Sequence, residues 1–132
     1  MPAVPPEGQE PDFLVEHTIP PNQAALYRLS GDKNPLHIDP GFARKAGFDR
    51  PILHGLCAYG YAGRAILHNA CGSNPARLRS FSVRFTNVVY PGDTLTTRGW
   101  KVDGGESLIV QTTNQDGKVV LGNALAEITN PA

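Results

Sequence analysis

From His54 to Ala70 the chain reads HGLCAYGYAGRAILHNA, and Arg64 is its only charged residue. A helix that is apolar on nearly every side has to be enclosed by the rest of the chain. The run is too short to cross a bilayer, and no other stretch is long and apolar enough to do so. Gly55, Gly60 and Gly63 each weaken such a helix by roughly 1 kcal/mol relative to Ala. A sheet pressed closely against those glycines, where any side chain would collide, is the expected compensation. In 132 residues one sheet around one helix uses most of the material, so the chain reads as a single domain.

The flanking sequence supplies that sheet. Phe13 to Ile19 is a short β-prone run. Phe81, Val83 and Phe85 alternate with Ser80, Ser82 and Arg84, the pattern of a strand with one polar face. Tyr90-Pro91-Gly92-Asp93 turns the chain, and strands are expected over Thr94–Val102, Leu108–Thr113 and Val119–Ile128. Asp103-Gly104-Gly105 and Asp116-Gly117 supply the hairpin turns. Pro20-Pro21 opens a short helix with Ala25, Leu26 and Leu29 on one face, stopped by Ser30-Gly31. Gly41 to Ala46 can form one more helical turn. The fold class is α+β, a long helix lying on one curved antiparallel sheet. Residues 1–12 hold four prolines and no amphipathic pattern, so they are expected to form a flexible Pro-rich leader ahead of a domain at 13–132.

Twelve basic residues balance twelve acidic ones, so no net field draws the chain to nucleic acid or to an anionic membrane. Cys57 and Cys71 are too far apart along one helix to be bridged, and free thiols fit a reducing compartment. No signal sequence or peroxisomal Ser-Lys-Leu ending is present, and a cytoplasmic location is expected.

Chemistry concentrates between Tyr27 and Gly55, where YRLSGDKNPLHIDPGFARKAGFDRPILHG places Asp32, Asn34 and His37 within six positions. Asn34 before Pro35 and Asp39 before Pro40 are both biased out of helical geometry, so these side chains sit on a constrained loop. A carboxylate, an amide and an imidazole beside the start of a helix, where backbone N–H groups lack partners, are the parts for moving a proton and holding an oxyanion. Taken singly, Asp32 reads as a turn residue, Asn34 as a shaper of the loop, His37 as a structural histidine and Gly55 as a packing glycine. The offsets favour the functional reading for Asp32, the place at the helix start favours it for Gly55, and Asn34 fits either role. His54 could cap or orient the loop, and His17 and His68 have no partner pattern. Asp39, His37 and His54 have no recognised metal-ligand spacing, and no metal is expected.

GDKNPLH, with Tyr27 and Leu29 upstream and PILHGLCAYGYAGRAIL downstream, resembles the hydratase 2 motif of the MaoC-like hot-dog proteins, the (R)-specific 2-enoyl-CoA hydratases. The resemblance runs from about Pro11 to Ile128 and includes FSVRFTNVVYPGDTL. It implies a hot-dog domain. It also implies that Asp32 and His37 are the catalytic acid/base pair, that Asn34 helps hold the water or the pair, and that the Gly55 N–H binds the thioester oxygen. Lys33, Pro35, Leu36 and Phe85 fall at substrate-contacting positions. The implied reaction adds water to a trans-2-enoyl-CoA, in fatty acid or other acyl-CoA metabolism, steroid side chains included. CoA is part of the substrate, so no cofactor is implied. Arg77, Arg79 and Arg84 are candidates for the CoA phosphates. The chain resembles only the motif-bearing half of the two-domain hydratases, which implies a homodimer or a hetero-oligomer with a second hot-dog subunit. The alternatives are a 3-hydroxyacyl-ACP dehydratase, a thioesterase and a non-catalytic acyl-CoA-binding subunit.

Overall fold

The computed structural model describes residues 3–129. The elements in chain order are β1 (Phe13–Thr18), α1 (Gln23–Tyr27), α2 (Pro40–Lys45), α3 (Gly55–Ala70), β2 (Leu78–Phe85), β3 (Thr94–Val102), β4 (Ser107–Thr113) and β5 (Val119–Ile128). The strands form one five-stranded sheet in the order β1-β3-β4-β5-β2, with every neighbouring pair antiparallel. Strands β1 and β2 are therefore its edges. Between β3 and β4 the backbone takes positive φ at Asp103, Gly104 and Gly105 in succession, a path that glycines follow with little strain. The long helix against one antiparallel sheet is the α+β hot-dog arrangement expected from the sequence.

Helix α3 meets the sheet through Ala58, Ala62, Ala65 and Ile66, all buried. Toward its start, Cys57 and Ala62 pack with Ile19, Leu53, Leu95 and Leu121. Toward its end, Ile66 packs with Leu108, Val110, Ala124 and Ile128.

Two expectations are corrected here. The helix is not enclosed all round, because one sheet covers only one side of it: Leu56 is 65% exposed and Gly60 is also exposed. Nor do Gly60 and Gly63 mark the close approach, since a Cβ at either would meet nothing within 4 Å. The alanines provide that approach instead. Helix α1 is short and buries Ala24, leaving Ala25 exposed and Leu26 and Leu29 at 59% and 74% exposure. The apolar face read from Ala25, Leu26 and Leu29 therefore points outward.

The Pro-rich segment, expected as a flexible leader, runs beside β3 in the structure. The Asp12 N–H donates to Gly99 O at 2.7 Å, the Lys101 N–H to Asp12 Oδ2 at 2.6 Å, and the Trp100 Nε1–H to Gln9 O at 2.9 Å. Gly99 lies under the Phe13 ring, where a Cβ would overlap it.

Candidate active site

Gly31, at φ 124°, ends the turn that follows α1 and releases the chain into the loop carrying Asp32, Asn34 and His37. Two side-chain turns shape this loop. The Asn34 N–H donates to Asp32 Oδ1 at 3.3 Å, and the Leu36 N–H donates to Asn34 Oδ1 at 3.0 Å. A 3-10 turn over Pro35–His37 then brings the imidazole round.

Three hydrogen bonds clip the loop to the segment leading into α3. The Ile52 N–H donates to Leu36 O at 3.3 Å, His37 Nδ1 pairs with Ile52 O at 2.8 Å, and His54 Nε2 pairs with Asp32 O at 3.1 Å. The Leu53 N–H donates to Val89 O at 2.6 Å, which ties the clip to the chain entering β3.

Carbonyl oxygens only accept, so these bonds fix where each ring carries its proton. His37 holds a hydrogen on Nδ1, which leaves its Nε2 lone pair free when the ring is neutral. That Nε2 lies 3.9 Å from Asp32 Oδ2, too far for a direct hydrogen bond and suited to one bridging water. The His37 side chain is nearly buried and the Asp32 side chain is 56% exposed, so the base is held and the carboxylate is open to a ligand. His54 holds its hydrogen on Nε2.

Donor atoms of Asp32, His37 and His54 lie within 4.8 Å of one another. A cation there would find His54 Nε2 committed as a donor and His54 Nδ1 buried, so the trio does not present three free lone pairs. Proton transfer suits the arrangement better than metal binding.

Gly55 opens α3. No side chain caps this helix and its first turn holds no acidic residue, so the positive end of its dipole is left for a ligand. The Phe85 ring lies over it, 3.3 Å from where a Cβ would stand. Phe85 itself is 55% exposed, so it covers the helix start more than it fills the core. A cavity of about 120 Å3 with an apolar wall lies beside Gly55 and Phe85, reaching Ile52, Ala58, Val120 and Leu121. His37 lines a separate recess of about 260 Å3 with Ala24, Ile38 and Arg50. The two share no lining residue.

The other residues singled out in the sequence lie as follows. Lys33 and Pro35 are exposed and Leu36 is half-buried, with the Leu36 carbonyl engaged in the clip. Asn34 uses one lone pair of its side-chain oxygen in the turn, which leaves its amide N–H groups and the other lone pair for a ligand. Arg77 donates through Nε to Thr129 O just past the far end of α3, about 24 Å along the helix from Gly55 at 1.5 Å per residue. That is a poor place to meet a group bound at Gly55. Cys57 and Cys71 are buried free thiols, and burial raises the pKa of both. His54 is the residue whose importance the sequence understated. Its one signal was its place immediately before the glycine that opens the helix.

Residues 3–123 match the family described as MaoC like domain. The chain is 45% identical over 124 residues to a Dictyostelium discoideum protein named probable enoyl-CoA hydratase 2, covering 93% of this chain and 42% of the relative. It is 45% identical over 121 residues to the peroxisomal multifunctional enzyme type 2 of Mus musculus, covering 92% of this chain and 16% of the relative. Its fold superimposes on that of a MaoC-like dehydratase from Phytophthora capsici with a TM-score of 0.91 at 41% identity, covering 98% of this chain and 46% of that one. The chain therefore spans less than half the length of each of these relatives.

Proposed function

Because the chain belongs to the MaoC-like domain family, we propose that it catalyses reversible addition of water to trans-2-enoyl-CoA, giving (3R)-3-hydroxyacyl-CoA. The observation that carries this reading is the pair of His37 Nε2 and Asp32 Oδ2 facing each other across 3.9 Å, on a loop clipped to the start of α3. Neutral His37 takes a proton from a water that Asp32 orients, and the hydroxyl bonds to C3. The C2–C3 π electrons shift onto the thioester as an enolate, whose oxygen takes the Gly55 N–H. The proton on His37 Nε2 then goes to C2, so one water is consumed and the pair is restored. Both parts of the water come from one side, which makes the addition syn. No cofactor or metal is required.

The test is loss of the enoyl-thioester absorbance with short, long and steroid-like 2-enoyl-CoA esters, with chiral analysis of the product. Release of free CoA would indicate a thioesterase instead. Binding with no absorbance change would indicate a non-catalytic subunit, and turnover confined to acyl carrier protein thioesters would indicate the dehydratase reading. A Gly55→Ala variant is expected to fold, since the exposed Phe85 ring can give way. Its turnover should fall by about 10²-fold, because a methyl group displaces the thioester from the N–H. Thermal melting alongside the assay checks both halves of that expectation.

Assembly with a second hot-dog domain belongs to the same proposal. Leu26, Leu29 and Leu56 stay exposed on the single chain, sheet edges remain at β1 and β2, and the relatives carry additional chain. The partner is a second copy or a different hot-dog subunit, and native mass measurement of the purified complex separates the two. No helix among the described residues is long and apolar enough to cross a membrane. The two free thiols support a reducing compartment such as the cytoplasm.

A further inference from the structure

We propose that His54 is a positioning residue for the acid/base pair, holding the Asp32 main chain through Nε2–H at 3.1 Å and setting the plane of His37 by ring stacking at 3.8 Å. It is 1% exposed and packs against two rings, with His37 inclined by 23° and Tyr27 tilted at 4.7 Å. Its side chain makes no capping bond to α3, so capping does not explain it.

Packing alone does not explain it either. Nδ1 of His54 is buried without a partner, a cost that a phenyl ring in the same slot would avoid. What the imidazole adds is the donor on its other nitrogen, aimed at the carbonyl of the residue that carries the carboxylate. His54 also immediately precedes Gly55, so one residue joins the three parts of the site: carboxylate, base and amide.

The neutral Nε2–H tautomer and the imidazolium both carry that donor, so what acid adds is a charge on a buried ring. Burial lowers the His54 pKa, the hydrogen bond to the Asp32 carbonyl opposes this, and the neighbouring His37 lowers it further. Asp32 and Arg28 act more weakly, raising and lowering it respectively. Tyr27 is the other titratable group against the ring. A folded-state value below the ordinary 6.5 means that the unfolded chain binds the extra proton first. The contribution of His54 to stability is thus complete above about pH 6.5 and is lost as the pH falls from there through the folded value.

The kinetic part of this proposal rests on the hydration reading; the structural part does not. His54→Phe keeps a ring but no donor, whereas His54→Gln keeps an N–H donor but no ring. His54→Phe is expected to lose about 10²-fold in kcat with KM unchanged, and His54→Gln to retain the larger part of turnover. In the unaltered protein, nitrogen NMR should find His54 in the Nε2–H form and His37 in the Nδ1–H form. His54→Phe should move the His37 ring resonances and lessen the acid-side loss of stability. Wild-type kcat in His54→Phe, or a His54 proton on Nδ1 at neutral pH, would overturn the proposal. Should no enoyl thioester be hydrated by the unaltered protein, the functional reading fails and the two NMR readouts still decide the role of His54. If His54→Phe does not fold, the His54 tautomer in the unaltered protein and the turnover of His54→Gln decide it.

Discussion

Asp32→Asn and His37→Gln should each lower kcat for hydration by about 10²–10⁴-fold, and the double variant should fall little further than the worse single one. Groups that act on one water as a unit are strongly non-additive. Asn at position 32 can still accept the Asn34 N–H that Asp32 Oδ1 accepts at 3.3 Å, so the loop keeps its turn and the loss is one of chemistry. Thermal melting of Asp32→Asn should accordingly match that of the unaltered protein. Near-full turnover in either single variant would reject the acid/base assignment. Losses that multiply in the double variant would mean that the two side chains act on separate steps.

The largest effect on stability is expected from Ile66→Ala. Ile66 is fully buried beside Leu108, Val110, Ala124 and Ile128. Truncating it removes transfer energy and leaves a cavity, which together cost about 2–5 kcal/mol. That is a large share of the 5–15 kcal/mol by which domains are typically stable. Leu56→Ala, on the other face of the same helix, should change the stability of a dilute single chain by no more than about 0.5 kcal/mol. Urea midpoints for the two variants test the one-sided wrap directly. Equal losses at low concentration would mean that the sheet reaches round to Leu56.

The strands and the extent of α3 were readable because both depend on local signals. Alternation along Phe81, Ser82 and Val83 shows in the sequence, as does the His-Gly pair that begins the helix. Which face of α3 is buried was not readable. A helix with apolar or small residues all round has no phase to its pattern, and the alanines and glycines differ by single methyl groups. The rotation was set by the sheet, whose distance favours Ala58, Ala62 and Ala65 over the empty space of Gly60 and Gly63. In the site, the spacing of Asp32 and His37 pointed to their meeting because a three-residue turn over Pro35–His37 closes the loop. Asn34 shapes that turn through a bond only two residues long, which its place before Pro35 suggests, whereas the stacking of His54 on His37 depends on a clip between segments fifteen or more residues apart. No local pattern encodes that clip. The separation of the apolar cavity from the recess at His37 was likewise invisible, since each is lined by residues far apart in the chain.

Many proton-transfer sites align their imidazole with an acidic side chain, which is itself lost to protonation when the medium turns acid. Here the aligning groups are peptide oxygens, those of Ile52 for one ring and Asp32 for the other. Amide oxygens do not ionise in the range where a domain stays folded. The seat of the His37 ring at the Ile52 carbonyl therefore does not depend on the charge of any acidic neighbour, and it holds where a carboxylate-aligned ring would let go.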